Sequence, residues 1–384
     1  MNAAPPMSGA DAADEVHEVD VVIVGAGPAG LNAATQWVGY GHSVVVLEGR
    51  TRVGGRLYSP RIGGGDGPRF DLGATWWWPN ERLISSTVDH AGLATFEQHL
   101  AGDMIYQDRG GARRIAGNQL DVASYRFADG AQSIGETLAA GLAEGVVRLG
   151  ASVTAIVGRP DGRVNVSYVS TLSSAEASSA TDWSAAQVIM AVPPATAVAL
   201  IEIPDLDDAL KQLASNTPVW MGATIKVVAV FKHAFWRDRG LAGSAFSHVG
   251  PMREIHDMSG PHGSPASLFG FVSGQRGDPA PTRSSIVEQL VAIFGPEAAD
   301  STGVVVHDWR TERFTSPPNV ERLTSYELFG HSRYQVPALD GRFHWASTET
   351  ATDSPGHIEG ALSASTRAAS AVSAALLTEK RNPI

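Results

Sequence analysis

Val19-Asp-Val-Val-Ile-Val-Gly25-Ala-Gly27-Pro-Ala-Gly30 decides the fold of this chain. Val21 to Val24 is an unbroken apolar, β-branched run, the composition of a strand buried on both faces. Gly25, Gly27 and Gly30 follow with G-x-G-x-x-G spacing, and Leu31 to about Gly39 has the composition of a helix. A second apolar run, Val44 to Leu47, ends in Glu48. Strand, glycine turn, helix and strand ending in an acid, in that order, form the βαβ unit that binds dinucleotides. Gly25 allows the tight turn, Gly27 lets backbone N–H groups reach a pyrophosphate, and Gly30 lets helix and strand pack closely. The helix start adds a partial positive charge for the phosphates. Glu48 can accept the ribose hydroxyls and would repel a 2′-phosphate, which disfavours NADP.

Composition sets the limits. The chain has 384 residues, a net charge of −11 and no cysteine. That length suits two domains, or one large one with an insertion. The acidic balance argues against nucleic acid and anionic membrane as partners. It is compatible with cationic small molecules. Without cysteine neither a disulfide nor a cysteinyl-linked cofactor can form. The twelve histidines are scattered without metal-ligand spacing, so no metal is expected. Residues 1–18 are Ala-, Pro- and acid-rich and read as a disordered tail, not a signal peptide. Ala361 to Leu377 is too polar to span a bilayer, and the expected location is cytoplasmic.

Along the chain, Ser133 to Leu149 is apolar at helical spacing after the turn Asp129-Gly130. Ser152–Ile156, Val164–Val169 and Gln187–Val192 read as strands. Ser170 to Ala185, rich in Ser and Ala, reads as a mobile loop. Residues 218–330 read as antiparallel strands with a helix at Ser284–Phe294. The expected fold class is α/β. It combines a Rossmann-like dinucleotide domain, discontinuous in sequence (19–80, 130–217 and 335–384), with a second α+β substrate domain on an antiparallel sheet (81–129 and 218–334).

Arg50 to Arg56 reads Arg-Thr-Arg-Val-Gly-Gly-Arg. Gly54 and Gly55 can pass close to a pyrophosphate, and Arg56 can approach it. Alone, this glycine pair reads as a flexible turn. Two further stretches accompany it: Phe-Asp-Leu-Gly-Ala-Thr-Trp-Trp-Trp at residues 70–78, and Gly-Arg-Phe-His-Trp-Ala-Ser-Thr-Glu-Thr-Ala followed by Gly-His-Ile-Glu-Gly-Ala over residues 341–361. In these three separated motifs, taken in order, the chain resembles the flavin-dependent amine oxidase family, the monoamine and polyamine oxidases and their relatives. The resemblance runs from Glu18 to about Leu377.

It implies non-covalent FAD, held by Gly25, Gly27, Gly30, Glu48, Gly54, Gly55 and Arg56. The backbone of Gly73, Ala74 and Thr75 would run beside the flavin, Val153 would meet the adenine, and Glu349 would lie in the C-terminal flavin turn. N–H groups around His357 and Ile358 would face the flavin's pyrimidine side, where a helix start favours negative charge. It implies a catalytic role for Lys226, in Gly-Ala-Thr-Ile-Lys-Val-Val-Ala-Val-Phe (222–231), beside the flavin. By pattern alone Lys226 would be a solvent-facing lysine on a half-buried strand. The activity implied is oxidation of a primary or secondary amine to an imine, with O2 as acceptor and H2O2 as product.

Three features depart from the family pattern. His357 stands where an aromatic commonly lines the substrate cage, and it could line the pocket, hydrogen-bond substrate or act as a base. For the opposite wall Tyr334 and His331 are the candidates, with Trp76, Trp77 and Trp78 as contributors. The interval 81–129 is short where the family carries a helical roof. An open pocket, or one closed by a partner subunit in a homodimer, is the expectation. Trp76–Pro79 occupy the place of a carboxylate-binding arginine, which favours amines over amino acids. Other functions remain open on the same scaffold: a desaturase or dehydrogenase of a non-amine carbocycle, and a flavin-binding protein without turnover. An NAD-dependent dehydrogenase would leave the C-terminal motif without purpose.

Overall fold

The computed structural model describes residues 17–381 apart from 40, 63–66, 173–179, 275, 317 and 319–324. β1 (His17–Val24) passes through α1 (Pro28–Gly39) to β2 (Val44–Glu48). Next come α2 (Arg82–Ala91), β3 (Thr95–Glu97), the hairpin of β4 (Asp103–Asp108) and β5 (Gly111–Ile115), and β6 (Tyr125–Phe127). α3 (Gln132–Ala140) and β7 (Val147–Leu149) lead into three long strands, β8 (Ala151–Gly158), β9 (Val164–Ser170) and β10 (Thr181–Met190). After α4 (Pro194–Leu200) and α5 (Asp208–Asn216) the chain runs through β11 (Thr224–Phe231), α6 (Phe235–Asp238), β12 (Leu241–Ser247), β13 (Glu254–Asp257), β14 (Ala266–Ser273), α7 (Arg283–Phe294) and β15 (Gly303–Asp308). It returns in β16 (Phe343–Trp345) and ends in α8 (Ile358–Arg381).

Two large sheets organise these elements. The first has the order β7-β2-β1-β10-β9-β8, with β16 also on β10. On the edge away from β1, β10 serves two neighbours along its length. Thr181–Ala185 pairs antiparallel with β9, whereas Val188–Met190 pairs parallel with β16. The unbroken apolar run of β1 has its explanation here, because both faces of the strand are covered. Val22 and Val24 pack with Val188, Met190, Phe343 and Trp345 on one side. Val21 and Ile23 pack under α1 and α8 with Leu31, Trp37, Ala368 and Val372 on the other. The second sheet has the order β15-β11-β14-β13-β12-β4-β5 and is antiparallel except for the β12–β4 pair. A separate core of Phe231, Trp236, Ile255, Leu268, Ile286 and Leu290 lies between it and α7.

Several sequence boundaries shift. β1 begins at His17, so His17 and Glu18 pair with Trp183 and Ser184 instead of belonging to a tail; residues 1–16 lie outside the described residues. The expected helix Ser133–Leu149 ends at Ala140, before Gly141. Val147–Leu149 instead extends the first sheet beside β2. Gly145, at φ 83°, turns the chain between the two. Of the expected loop 170–185, residues 173–179 lie outside the described residues, and 181–185 is strand because Trp183 and Ala185 face ladder partners on β9 and β1. That strand ends at Met190, short of the expected Val192.

Candidate active site

From β1 the chain goes to β2 on one side, while β10 lies on the other. The crevice past the carboxyl ends of β1 and β10 is therefore the topological switch point of the parallel sheet, where dinucleotides bind. A cavity of about 480 Å³ opens there. Gly25 turns at φ 100°, and a Cβ on it would stand 2.8 Å from Val192 Cγ1, just beyond β10. A Cβ on Gly30 would fall 1.9 Å from the Gly25 carbonyl oxygen, so only glycine lets α1 start against this turn. Gly27 lines the cavity, and the place of its missing Cβ has no protein atom within 4 Å. That open place is the close-approach surface a pyrophosphate needs.

Glu48 is 4% exposed and lines the same cavity. Its two carboxylate oxygens accept the N–H groups of Ala26 and Arg50, each at 2.8 Å. Each oxygen keeps further acceptor capacity. Beyond it, a smaller cavity shares Gly25, Glu48 and Arg50 with the first and reaches Val153. Gly54 does not line the cavity. Its N–H donates to Ala26 O at 2.8 Å and its Cα meets α3 at Gly135, so it holds the second glycine turn against the first. Gly55 and Arg56 do line it. The Arg56 guanidinium grips Glu349 with both forks, at 2.6 and 3.0 Å, and donates to Trp220 O. Glu349 is fully buried behind the wall and also accepts the Trp220 N–H. The Gly-Gly-Arg and Thr-Glu-Thr motifs are thus two halves of one ion pair.

Gly73, Ala74 and Thr75 form the next part of the wall. Lys226 reaches them from β11, where it is 2% exposed between Phe271 and His307 on the adjoining strands. Its ammonium donates to Gly73 O at 2.8 Å and to Thr75 Oγ1, and lies 4.2 Å from the Phe269 ring centroid. Burial pushes this lysine down to about 7; Asp71 pulls it back up and Arg126 pushes it further down. A primary ammonium poised near neutrality on a cavity wall has the character of a functional group.

His357 and Ile358 line the cavity from the start of α8. Gly356 precedes them at φ 89°, and a Cβ on it would collide with the Trp220 indole at 2.7 Å. Thr348 fixes the turn: its hydroxyl accepts the Gly356 N–H and donates to His357 O. The His357 ring stacks on Trp78, with centroids 4.5 Å apart and planes at 27°. Its Nδ1 lies 2.7 Å from Glu81 Oε1.

Tyr334 is a correction. It is 1% exposed, its hydroxyl bonds Thr217 at 2.6 Å, and its ring meets Trp345 in the core of the first sheet. It does not line the cavity, and neither does His331, whose Nδ1 accepts the Arg333 N–H. The aromatic residues that do line the cavity include Trp220, Trp76, Trp78 and Phe271. Trp77 is buried and stacked on Tyr125. Trp220 is a residue that sequence reasoning missed. Its signal was a tryptophan in Pro218-Val-Trp-Met-Gly222, six residues before Lys226. Glu81 was missed too, although it stands three residues after Trp78 and accepts that residue's N–H. Among the described residues none from 81 to 129 lines the cavity.

The profile of the family described as flavin containing amine oxidoreductase matches residues 103–373, and that of the NAD(P)-binding Rossmann-like domain matches residues 23–91. The chain belongs to the flavin-containing amine oxidoreductases. It is 28% identical over 461 aligned positions to the putrescine oxidase of Kocuria rosea, a match covering 90% of this chain and 93% of that one. A solved structure of putrescine oxidase bound to putrescine superposes with a TM-score of 0.79 at 22% identity, over 94% of this chain and 100% of the other. Cyclohexylamine oxidase from Brevibacterium oxydans gives 0.78 at 21%, over 94% and 99%. These superpositions carry the fold alone. The protein is a flavin-dependent amine oxidase and its cofactor is FAD, for which the glycine cradle at Gly27, the Glu48 carboxylate and the start of α8 provide the fitting groups. Among the described residues no helix is long and apolar enough to cross a membrane.

Proposed function

We propose that this chain oxidises a primary or secondary amine to an imine, which water hydrolyses to an aldehyde or ketone, and that O2 takes up the two electrons as H2O2. The observation that carries the reading is Lys226, a buried amine anchored to Gly73 and Thr75 on the wall of an aromatic cavity. Bound FAD supplies the two-electron chemistry. Gly27, Glu48, Gly55 and Arg56 hold and orient it, with the Arg56–Glu349 pair fixing the second glycine turn. Gly73 to Thr75, His357 and Ile358 line the same cavity further along. Trp76, Trp78, Trp220 and Phe271 exclude water and suit an uncharged amine with apolar substituents. Lys226, when protonated, favours the negative charge that develops on O2 as it is reduced. The putrescine and cyclohexylamine oxidases among the similar proteins support an amine as the substrate class.

Anaerobic titration of the yellow holoprotein with amines, amino acids and cyclic non-amines tests the reading. An amine should bleach the oxidised-flavin absorbance, and air should restore it with one H2O2 formed per turnover. Bleaching by non-amines alone would establish the desaturase class instead. Lys226→Met should slow reoxidation by O2 on the order of 10²-fold, and an unchanged rate would remove the role given to this lysine.

A further inference from the structure

His357 is more than a wall. Glu81 is 3% exposed, and both of its oxygens are committed: Oε2 accepts the Trp78 N–H at 2.8 Å, and Oε1 meets His357 Nδ1 at 2.7 Å. A carboxylate only accepts hydrogen bonds, so Nδ1 carries a proton, and in the neutral ring the lone pair is then on Nε2. Nε2 has no hydrogen-bond partner among the described residues, and the ring lines the cavity. Trp78 stacks on one face of the ring, and the Thr348 hydrogen bonds pin its backbone on both sides. This is an oriented imidazole with its basic nitrogen free.

We propose that His357, oriented by Glu81, is the base that takes the proton from the substrate's ammonium group. The inference rests on the amine reading above. Alkylamines reach the protein as ammonium ions, because their pKa lies near that of lysine, about 10. Only the free amine has an electron pair to give up in oxidation. Burial on this cavity wall disfavours the charged form of a primary ammonium, as the lowered pKa of Lys226 shows in direction. A substrate ammonium leaving water among the same aromatic walls is pushed in the same sense, and imidazole is a side chain suited to take up its proton.

The other charged groups around the cavity are placed for different work. Arg56 is tied to Glu349, Arg50 to Glu312, and Glu48 is held by two backbone N–H groups on the dinucleotide side. Glu359 accepts from Leu83 and Ile84 at the start of α2. Arg253 is a cation, and Glu254 is 45% exposed and 3.8 Å from His256. In the step itself one N–H bond of the ammonium breaks and one forms on Nε2. The electron pair stays on the amine nitrogen, and nothing is oxidised. Glu81 and the face of Trp78 offset the new imidazolium charge, and the proton leaves to solvent when product departs.

The test uses holoprotein in two arms. In the first, anaerobic flavin reduction by cyclohexylamine and putrescine is followed across pH. Wild type should lose rate on the acidic side, where a base is no longer able to take up the ammonium's proton. His357→Phe should lose that limb and react on the order of 10²-fold more slowly at pH 7. Glu81→Gln should lower the rate about tenfold, the size expected for loosening a residue that only orients another. Flavin content of each variant separates these effects from misfolding. In the second arm, ¹⁵N-histidine NMR of wild type should show His357 protonated at Nδ1 and bare at Nε2, a pattern lost in Glu81→Gln. An unchanged pH profile in His357→Phe, or a proton found on Nε2, overturns the proposal. Wild type that neither amine reduces refutes the amine reading, and the NMR arm then still decides the dyad without turnover.

Discussion

Replacing Lys226 by Met should change how stability depends on pH, whatever it does to turnover. In the folded protein the ammonium is 2% exposed and its pKa falls from 10.5 to about 7, with burial the largest cause. In the unfolded chain it returns to about 10.4. Between those values the unfolded state holds a proton that the native state lacks, so stability rises with pH as the native lysine loses its charge. From pH 7 to pH 8.5 the rise contributed by this one group is about 1.5 kcal/mol. A chain of this length unfolds with an entropy of about 0.8 kcal/mol/K, which makes the rise about 2 °C in Tm. Methionine fills the slot between Phe269 and Phe271 without a charge. It also leaves Gly73 O and Thr75 Oγ1 short of a donor, a pH-independent cost of about 1–3 kcal/mol. Thermal unfolding of both holoproteins, at one fixed excess of FAD, should therefore give Tm curves that diverge by about 2 °C across this interval. Parallel curves would mean that Lys226 keeps its charge on folding, and the description of the cavity wall as desolvating would be wrong.

The glycines of the first turn should separate cleanly. Gly27→Ala meets no protein atom, so the apoprotein should fold with stability within about 1 kcal/mol of wild type while FAD affinity drops at least roughly tenfold, as read by flavin fluorescence. Gly30→Ala would drive a methyl into the Gly25 carbonyl and should yield little soluble yellow protein. Arg56→Met should cost about 3–5 kcal/mol, measured by denaturant unfolding, because it strands the fully buried Glu349. Adding Glu349→Gln to it should restore part of that loss. Tyr334→Phe should cost about 1 kcal/mol through the lost Thr217 contact and leave kcat within about twofold, since the side chain does not reach the cavity; a large loss of kcat would reinstate it as a site residue.

Local order was legible where one short segment contains its own explanation. The run from Val21 to Gly30 announces a two-face-buried strand, a tight turn and a close-packed helix, and the contacts of Gly25 and Gly30 show why each position needs glycine. The start of α8 was legible from its own Gly-His-Ile-Glu-Gly-Ala motif, although the indole that Gly356 must clear belongs to Trp220, far away in sequence. Strand limits were less so. β10 begins six residues before the expected Gln187 because its first half is half-exposed and held by β9, a partner that no local periodicity names. The parallel pairing of β12 with β4, far apart in sequence, was equally invisible.

The site itself shows why motifs find backbone roles more readily than side-chain partners. A glycine turn can be read from its own neighbours, as Gly30 against Gly25 shows, but an ion pair is written in two places at once. Arg56 and Glu349 stand 293 positions apart, and His357 and Glu81 stand 276 apart. Each of these four residues has an ordinary solvent-facing reading when taken alone. Tyr334 failed in the opposite sense: an aromatic beside a motif looks the same whether it faces the cavity or the core. Only the strand β16 and the Thr217 hydroxyl decide that it turns inward. His357 combines both problems. Its position was legible from the helix start, but its chemistry depends on which nitrogen carries the proton. That is set by a carboxylate contributed from the interval 81–129. The segment that gives the cavity no lining residue therefore fixes the group best placed to receive a proton within it.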